Sequence, residues 1–219
     1  MTQIIPAEQI ALYQLEEKFA LQQVESEDFF PEWQGVLPEL TEVEKEQLER
    51  VKANFLYLST RSLLEEMVKM VVVSPLLDLA GFYQPPFYPI PEKSVQISAR
   101  DESSIVKGKI DVLVIKEQFW VLVIESKRAE FSLKVGIPQA LSYMLANPHP
   151  NQPLYGLVTN GSNFVFLKLV QGEKPYYARS EEFVLDNPHE LERVLQILKQ
   201  LAQVMRGENT TISYQAENC

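Results

Sequence analysis

Apolar residues recur along this chain with two different periods, and the change from one to the other lays out its elements. Across residues 7–25, Ile10, Leu12, Leu15, Phe19 and Leu21 return at roughly helical spacing, the mark of an amphipathic helix with one stripe to bury. Residues 29–38, with two prolines and a glycine, interrupt it. Thr41-Glu42-Val43-Glu44 has the form of a capping box ahead of Leu48, Val51, Phe55 and Leu58. This predicts a long second helix that breaks near Ser59 or Thr60, resumes through Leu63 to Val73 and is stopped by Pro75. Pro85, Pro86, Pro89 and Pro91 then predict an irregular crossing.

Beyond the prolines the pattern becomes that of strands, predicted over 95–99, 110–115 and 121–126. Pro138 suits the first turn of a helix that carries Gln139 to Ala146 and ends before Pro148. Strands over 154–159 and 164–170 meet at Asn160-Gly161, a hairpin turn signal. An amphipathic helix follows over 188–205, and the polar residues 207–219 are expected to fray. The chain contains no internal repeat and no low-complexity tract. This order predicts a mixed α/β sheet with helices packed on it. An acidic helical extension would occupy 1–58, the sheet-bearing domain 59–206, and a flexible tail the remainder.

Composition narrows the class. A chain of 219 residues can bury one substantial core. Hydrophobic and charged contents of 46% and 23% are those of an ordinary globular protein. No apolar run approaches the roughly 18 residues that span a bilayer. The first residues lack the basic and apolar regions of a signal peptide, and Cys219 is the single cysteine, so a reducing, cytoplasmic setting without disulfides or a thiolate zinc site is expected. No Gly-rich phosphate loop is present, which argues against a nucleotide-hydrolysing motor.

A net charge of −10 argues against a nucleic-acid partner, because phosphate contacts need Lys and Arg. Its distribution weakens the objection. Residues 1–50 hold 12 acids and 3 bases, a net of −9, whereas residues 51–219 hold 18 acids and 17 bases, a net of −1. Basic clusters at Arg100/Lys107/Lys109 and Lys127/Arg128/Lys134 are ordinary solvated surface on the plainest reading. They permit DNA binding without predicting it.

The chemistry concentrates at the edges of two apolar runs. Gly108-Lys109-Ile110-Asp111 precedes residues 112–115, and residues 119–124 precede Glu125-Ser126-Lys127. Carboxylates and an amine beside buried strands are costly to desolvate unless paired. A divalent ion pairs them: Mg²⁺ takes hard oxygen ligands, commonly one or two carboxylates. A metal also polarises a phosphate and helps to generate hydroxide, and a neighbouring lysine can orient or deprotonate the attacking water. The Ser126 carbonyl could complete the coordination sphere.

Alternate residues of a strand share a face, so Glu125 and Lys127 point together. A hairpin that pairs Ile115 with Phe119 would set Asp111 opposite Val123 and diagonal to Glu125. A register shift of two would set Asp111 directly opposite Glu125, and a shift of one would separate their faces. Glu16-Glu17-Lys18 also matches E-x-K, but on a polar helix face. The plain alternative for Glu125 is a salt bridge to Lys127 or Arg128 at a strand end.

The Asp111, Glu125 and Lys127 spacing resembles the PD-(D/E)XK nuclease superfamily. Glu125-Ser126-Lys127-Arg128, then Gln139-Ala140 with Tyr143, then Thr159-Asn160-Gly161, looks like the nuclease domain at the N-terminus of type I restriction-enzyme motor subunits. Pro75-Leu76-Leu77, Leu79 and Gly81-Phe82 are similar to the end of that domain's first helix, with an acidic residue about three turns earlier, which points to Glu65 rather than Glu66. The resemblance covers roughly residues 60–170. It implies a restriction-endonuclease-like fold and a Mg²⁺-dependent nuclease acting on DNA, with Mn²⁺ a possible substitute and RNA a lesser candidate. It further implies that Asp111 and Glu125 are metal ligands with the Ser126 carbonyl, that Lys127 is the catalytic lysine, that Gln139 approaches the site, and that Glu65 contacts water on the metal. The acidic first 50 residues have no counterpart in that pattern; packing on the core or homodimerisation is expected of them. The competing reading is an inactive scaffold or nucleic-acid-binding module of the same fold.

Overall fold

The computed structural model describes residues 3–25, 29–99, 104–172 and 174–207. Arg100 and all of the expected tail except Gly207 lie outside the described residues. Eight strands form one mixed sheet in the order β1-β4-β5-β6-β7-β8-β2, with β3 on β4. The strands are β1 (Gln3–Pro6), β2 (Gln22–Gln23), β3 (Phe87–Ser98), β4 (Ser104–Lys116), β5 (Phe119–Ser126), β6 (Leu154–Thr159), β7 (Asn163–Val170) and β8 (Tyr176–Val184). Strands β5 and β6 pair in parallel across α5 (Gly136–Leu145), while β3–β4, β4–β5, β6–β7 and β7–β8 are antiparallel.

Side chains alternate between two cores, one on each face of the sheet. Leu113 and Val123 pack with α1 (Leu12–Phe19) and α5; Val114, Leu122 and Ile124 pack with α2 (Glu42–Leu58), α4 (Ser74–Leu79) and α6 (Glu190–Arg206). The result is a mixed α/β fold with a helix-flanked sheet, consistent with the expected restriction-endonuclease-like architecture. Among the described residues no helix is long and apolar enough to cross a membrane.

The N-terminal segment departs from the helical extension expected of it. Of the helix expected over residues 7–25, only Leu12–Phe19 is α-helical, after a 3-10 turn at Ala7–Gln9, and Ala20, at φ 55°, ends it. The residues around it are strands: β1 pairs in parallel with β4 and β2 with β8. Sheet edges present unpaired amides and carbonyls, and satisfying them here outweighs extending a short helix that is marginal by itself. Ile10 and Leu21 are buried as the helical pattern implied, but from non-helical backbone. The segment then crosses to the other face, where Glu32 pairs with buried Lys168 at 2.6 Å and Trp33 lies 5.6 Å from Phe166.

The capping box is present, with Glu44 N donating to Thr41 Oγ1 and Thr41 N donating to Glu44 Oε2. Helix α2 ends at Leu58, where the break was expected. The expected stop at Pro75 does not occur. The chain resumes as α3 (Glu65–Val68), widens into a π-turn over Lys69–Val73, and continues as α4 to Leu79. Within the π-turn the Ser74 amide bonds to the Lys69 carbonyl, and this wider repeat seats Pro75 in the first turn of α4, where no amide donor is needed. Strand β3 likewise begins at Phe87, well before residue 95, despite Pro89 and Pro91. It is an edge strand with a single ladder, to β4, so only alternate amides are required.

The Asn160-Gly161 turn joins β6 to β7 as predicted. Gly161 has φ +89°, and a Cβ there would lie 2.3 Å from Phe55 Cε2 on α2. Gly161→Ala is therefore expected to lower stability by about 2 kcal/mol, read as a fall of about 5 °C in Tm by circular dichroism.

Candidate active site

A strand has two hydrogen-bonding edges, and β4 divides one of them between two neighbours. Strand β3 occupies the other edge from Ser98↔Ile105 to Phe87↔Lys116. On the shared edge, β1 pairs with residues 104–107 and β5 with residues 112–116. Between them lies Gly108-Lys109-Ile110-Asp111, and there a cleft of ≈ 640 Å³ opens, lined among others by Glu65, Lys69, Asp111, Glu125, Lys127 and Gln139.

The β4–β5 register differs from the expected one in two compensating ways. The turn is tighter, pairing Lys116 with Phe119 and Ile115 with Trp120. Continued unchanged, that register would set Asp111 against Ile124 and separate the two carboxylates by face. One extra residue, Val121, is accommodated as a bulge before Val114↔Leu122 and Val112↔Ile124. The next position in this register sets Asp111 across from Glu125. The hairpin is thus shifted by two from Ile115↔Phe119, and face parity is kept.

The ladder ends at that point because Asp111 takes over. Ser126 N–H and Ser126 Oγ both donate to Asp111 Oδ2 at 2.7 Å, so a carboxylate replaces the β4 backbone as acceptor. Asp111 Oδ1 lies 3.2 Å from Lys69 Nζ. Glu125 is 2% exposed. Its Oε1 accepts from Lys127 Nζ at 2.7 Å, whereas Oε2 is buried with no hydrogen-bond partner. Burial raises the Glu125 pKa to about 8, the Asp111 charge adds to the rise, and Lys127 opposes it.

Lys127 is also buried and donates to Gln139 Oε1 at 2.8 Å, while Gln139 Nε2 donates to the Tyr143 hydroxyl at 2.8 Å. An ammonium has three donors, so one remains for a ligand. Burial, and then the Glu125 charge, push Tyr143 ionisation far up, and it stays a neutral phenol. Gly108 makes room for it: a Cβ there would come within 2.7 Å of the Tyr143 hydroxyl. The salt bridge of the plain alternative is therefore present, yet it satisfies only half of the carboxylate. Buried polar atoms are usually hydrogen-bonded to protein, ordered water or an ion; Glu32 Oε2, beside Lys168, is a second such atom among the described residues.

Helix α3 closes the cleft from the other layer. Glu65 is half-buried and Glu66 exposed, and both line the cleft. Burial raises the Glu65 pKa, Lys127 opposes and Asp111 adds. Two participants escaped the sequence reading. Lys69, four residues after Glu65 on one helix face, pairs with Asp111; that spacing was the available signal. Glu92, hidden among prolines and held at φ 54°, lies 3.1 Å from Lys69 Nζ and 2.8 Å from Lys109 Nζ. Thr159-Asn160-Gly161 acts from outside the cleft. The Thr159 carbonyl accepts from Lys127 N at 2.8 Å, and Asn160 Nδ2 donates to the Phe131 carbonyl at 2.9 Å, anchoring the loop after Lys127. In the other E-x-K match, Glu16 and Glu17 are exposed on α1 and Lys18 donates to Ser104 Oγ.

The donor set bears on metal binding. Among the described residues no group of three or more His, Cys, Asp and Glu is placed to hold an ion. Of the carboxylates that line the cleft, Asp111 and Glu125 face each other across the β4–β5 pair, and Glu125 has an orphaned oxygen. Such a set suits Mg²⁺, which commonly keeps its waters and takes one or two carboxylates.

No family model matches the chain, and no curated protein matches it. A solved structure similar to part of it is a fragment assigned to an HsdR subunit of a type I restriction enzyme from Vibrio vulnificus YJ016, at 22% identity and a TM-score of 0.37. The match covers 48% of this chain and 21% of that one, so it spans about a fifth of the solved fragment.

The raised Glu125 pKa has a consequence for stability. Below about pH 4.5 the carboxyl is protonated in both folded and unfolded chains; between 4.5 and about 8 only the folded chain keeps the proton. Stability contributed by this group is thus lost as pH rises through that window. With chelator present, Glu125→Gln is expected to match wild type near pH 4.5 and to melt several degrees higher at pH 8.5. A wild-type Tm profile as flat as that of Glu125→Gln would contradict this.

Proposed function

We propose that the cleft is the active site of a Mg²⁺-dependent nuclease of PD-(D/E)XK type that hydrolyses DNA phosphodiester bonds, in the manner of a restriction or defence endonuclease. The observation that carries this reading is the orphaned Glu125 Oε2, buried beside a lysine in a cleft that it shares with Asp111. Ion pairing with Lys127 alone leaves that atom unexplained.

In this reading Asp111 and Glu125 hold the divalent ion, with the Ser126 carbonyl as a further oxygen ligand. When bound, the ion supplies Lewis-acid stabilisation of the phosphate and eases formation of hydroxide. The chain's own residues do the rest. Lys127, fixed by Glu125 and Gln139, directs its remaining N–H at the attacking water and holds it in line. Gln139, itself held by the Tyr143 hydroxyl, keeps the lysine in one rotamer. Glu65 orders solvent from the helix side. Ser126 fixes the Asp111 carboxylate through two charge-assisted bonds, which limits reorganisation when ligands bind.

A module that retains the fold without hydrolysis is the second reading, favoured by the net charge of −10. Incubation of plasmid and linear DNA with Mg²⁺ or Mn²⁺ separates the two. Wild type is expected to cleave, with Asp111→Ala and Lys127→Ala each lowering the rate by at least about 100-fold, the scale of losing a general-base or electrostatic contribution. Cleavage that persists in both variants would remove the site from consideration. Absence of wild-type cleavage with either metal would favour the non-hydrolytic module.

A further inference from the structure

A cation arriving at Asp111 has one free oxygen to meet, and Lys69 is already on it. Oδ2 is held by both Ser126 donors at 2.7 Å, which leaves Oδ1, 3.2 Å from Lys69 Nζ. The same ammonium lies 3.1 Å from Glu92 Oε1, and Glu92 Oε2 lies 2.8 Å from Lys109 Nζ. Glu92 sits directly across the β3–β4 ladder from Asp111, between Pro91↔Val112 and Lys93↔Ile110. Its φ of 54° is a conformation that a non-glycine residue holds only when its surroundings impose it, and such strain concentrates at functional sites.

Lysine is a compact charge on a flexible four-carbon stem, so small torsional changes can shift an ammonium that bridges both carboxylates wholly onto Glu92. An ammonium and a divalent ion cannot share one carboxylate oxygen without strong repulsion at that range. Resting on the metal-site reading above, we propose that Lys69 is a resident counter-cation of Asp111 which a divalent ion displaces onto Glu92, so that Lys69 and Glu92 together set the affinity of the site for metal. Lys69 is a positioning residue in this scheme. Before metal arrives it neutralises Asp111 within the half-buried cleft. Once metal is bound it rests on Glu92 alone.

The exchange makes opposite predictions for its two partners. Mn²⁺ titration calorimetry on the full chain without nucleic acid measures them, with circular dichroism to confirm that each variant is folded. Lys69→Met removes the competitor and is expected to tighten Mn²⁺ binding about tenfold, equivalent to one pKa unit of interaction. Lys69→Arg keeps a competing cation and is expected to stay near wild type. Glu92→Gln removes the landing point and is expected to weaken binding in the wild-type background and to have no effect in the Lys69→Met background. If Lys69→Met binds Mn²⁺ no more tightly than wild type, or if Glu92→Gln weakens binding equally in both backgrounds, the exchange is overturned while the metal site stands. Wild type that binds no Mn²⁺, or binds it as well after Asp111→Asn, removes the metal site and the exchange with it.

Discussion

The division of one β4 edge between β1 and β5 is the constraint on which the rest of the site depends. A continuous ladder would have buried Gly108-Lys109-Ile110-Asp111 among backbone hydrogen bonds. Because the β1 ladder ends at Pro6↔Lys107 and the β5 ladder begins at Val112↔Ile124, that stretch faces a gap instead. The Asp111 carboxylate closes the β5 side of the gap by accepting two bonds from Ser126. This act ends the ladder and also holds the carboxylate rigid at the mouth of the cleft. Ligand sites in open α/β sheets commonly form where neighbouring strands part in this way.

Both helical layers reach the gap, one with neutral hydrogen-bonding groups and the other with charge. From one side α5 supplies Gln139 and Tyr143, which extend a hydrogen-bonded chain from Glu125 through Lys127. From the other, α3 and the π-turn supply Glu65 and Lys69. Desolvation dominates the balance of these charges, as the raised Glu125 shows. The N-terminal segment supplies the β1 strand that defines one lip of the cleft, with Pro6 and Ala7 among its lining residues. Of the acids in that segment, Glu8 lines the cleft.

Local signals proved legible where the physics is local. The Thr41–Glu44 box, the Asn160-Gly161 turn, the strands over 110–126 and the helix that begins around Pro138 each depend on contacts within a few residues. The two E-x-K copies could be told apart for the same reason, because burial of residues 119–124 is written in their apolarity. Misreadings arose where distant partners overrode local preference. Strands β1 and β2 form because sheet edges elsewhere in the chain need amides and carbonyls. Strand β3 tolerates Pro89 and Pro91 because it has a neighbour on one side only. Pro75 fails to stop its helix because the preceding turn widens.

For the site, the sequence alone determined which residue types stand at the strand edges and that Glu125 and Lys127 share a face, since strand parity follows from covalent geometry; Asp111 joined them only through an assumed hairpin register, and Gln139 only through a family resemblance. The sequence could not determine that register. A two-residue turn and a one-residue bulge at Val121 each reverse parity, and only their sum restores it. Nor could it reveal that Lys69, from a helix, bridges Asp111 and Glu92 of an edge strand, because tertiary packing brings the three together. The orphaned oxygen of Glu125 is likewise a property of the folded chain alone, because desolvation exists only once both layers have closed over the sheet.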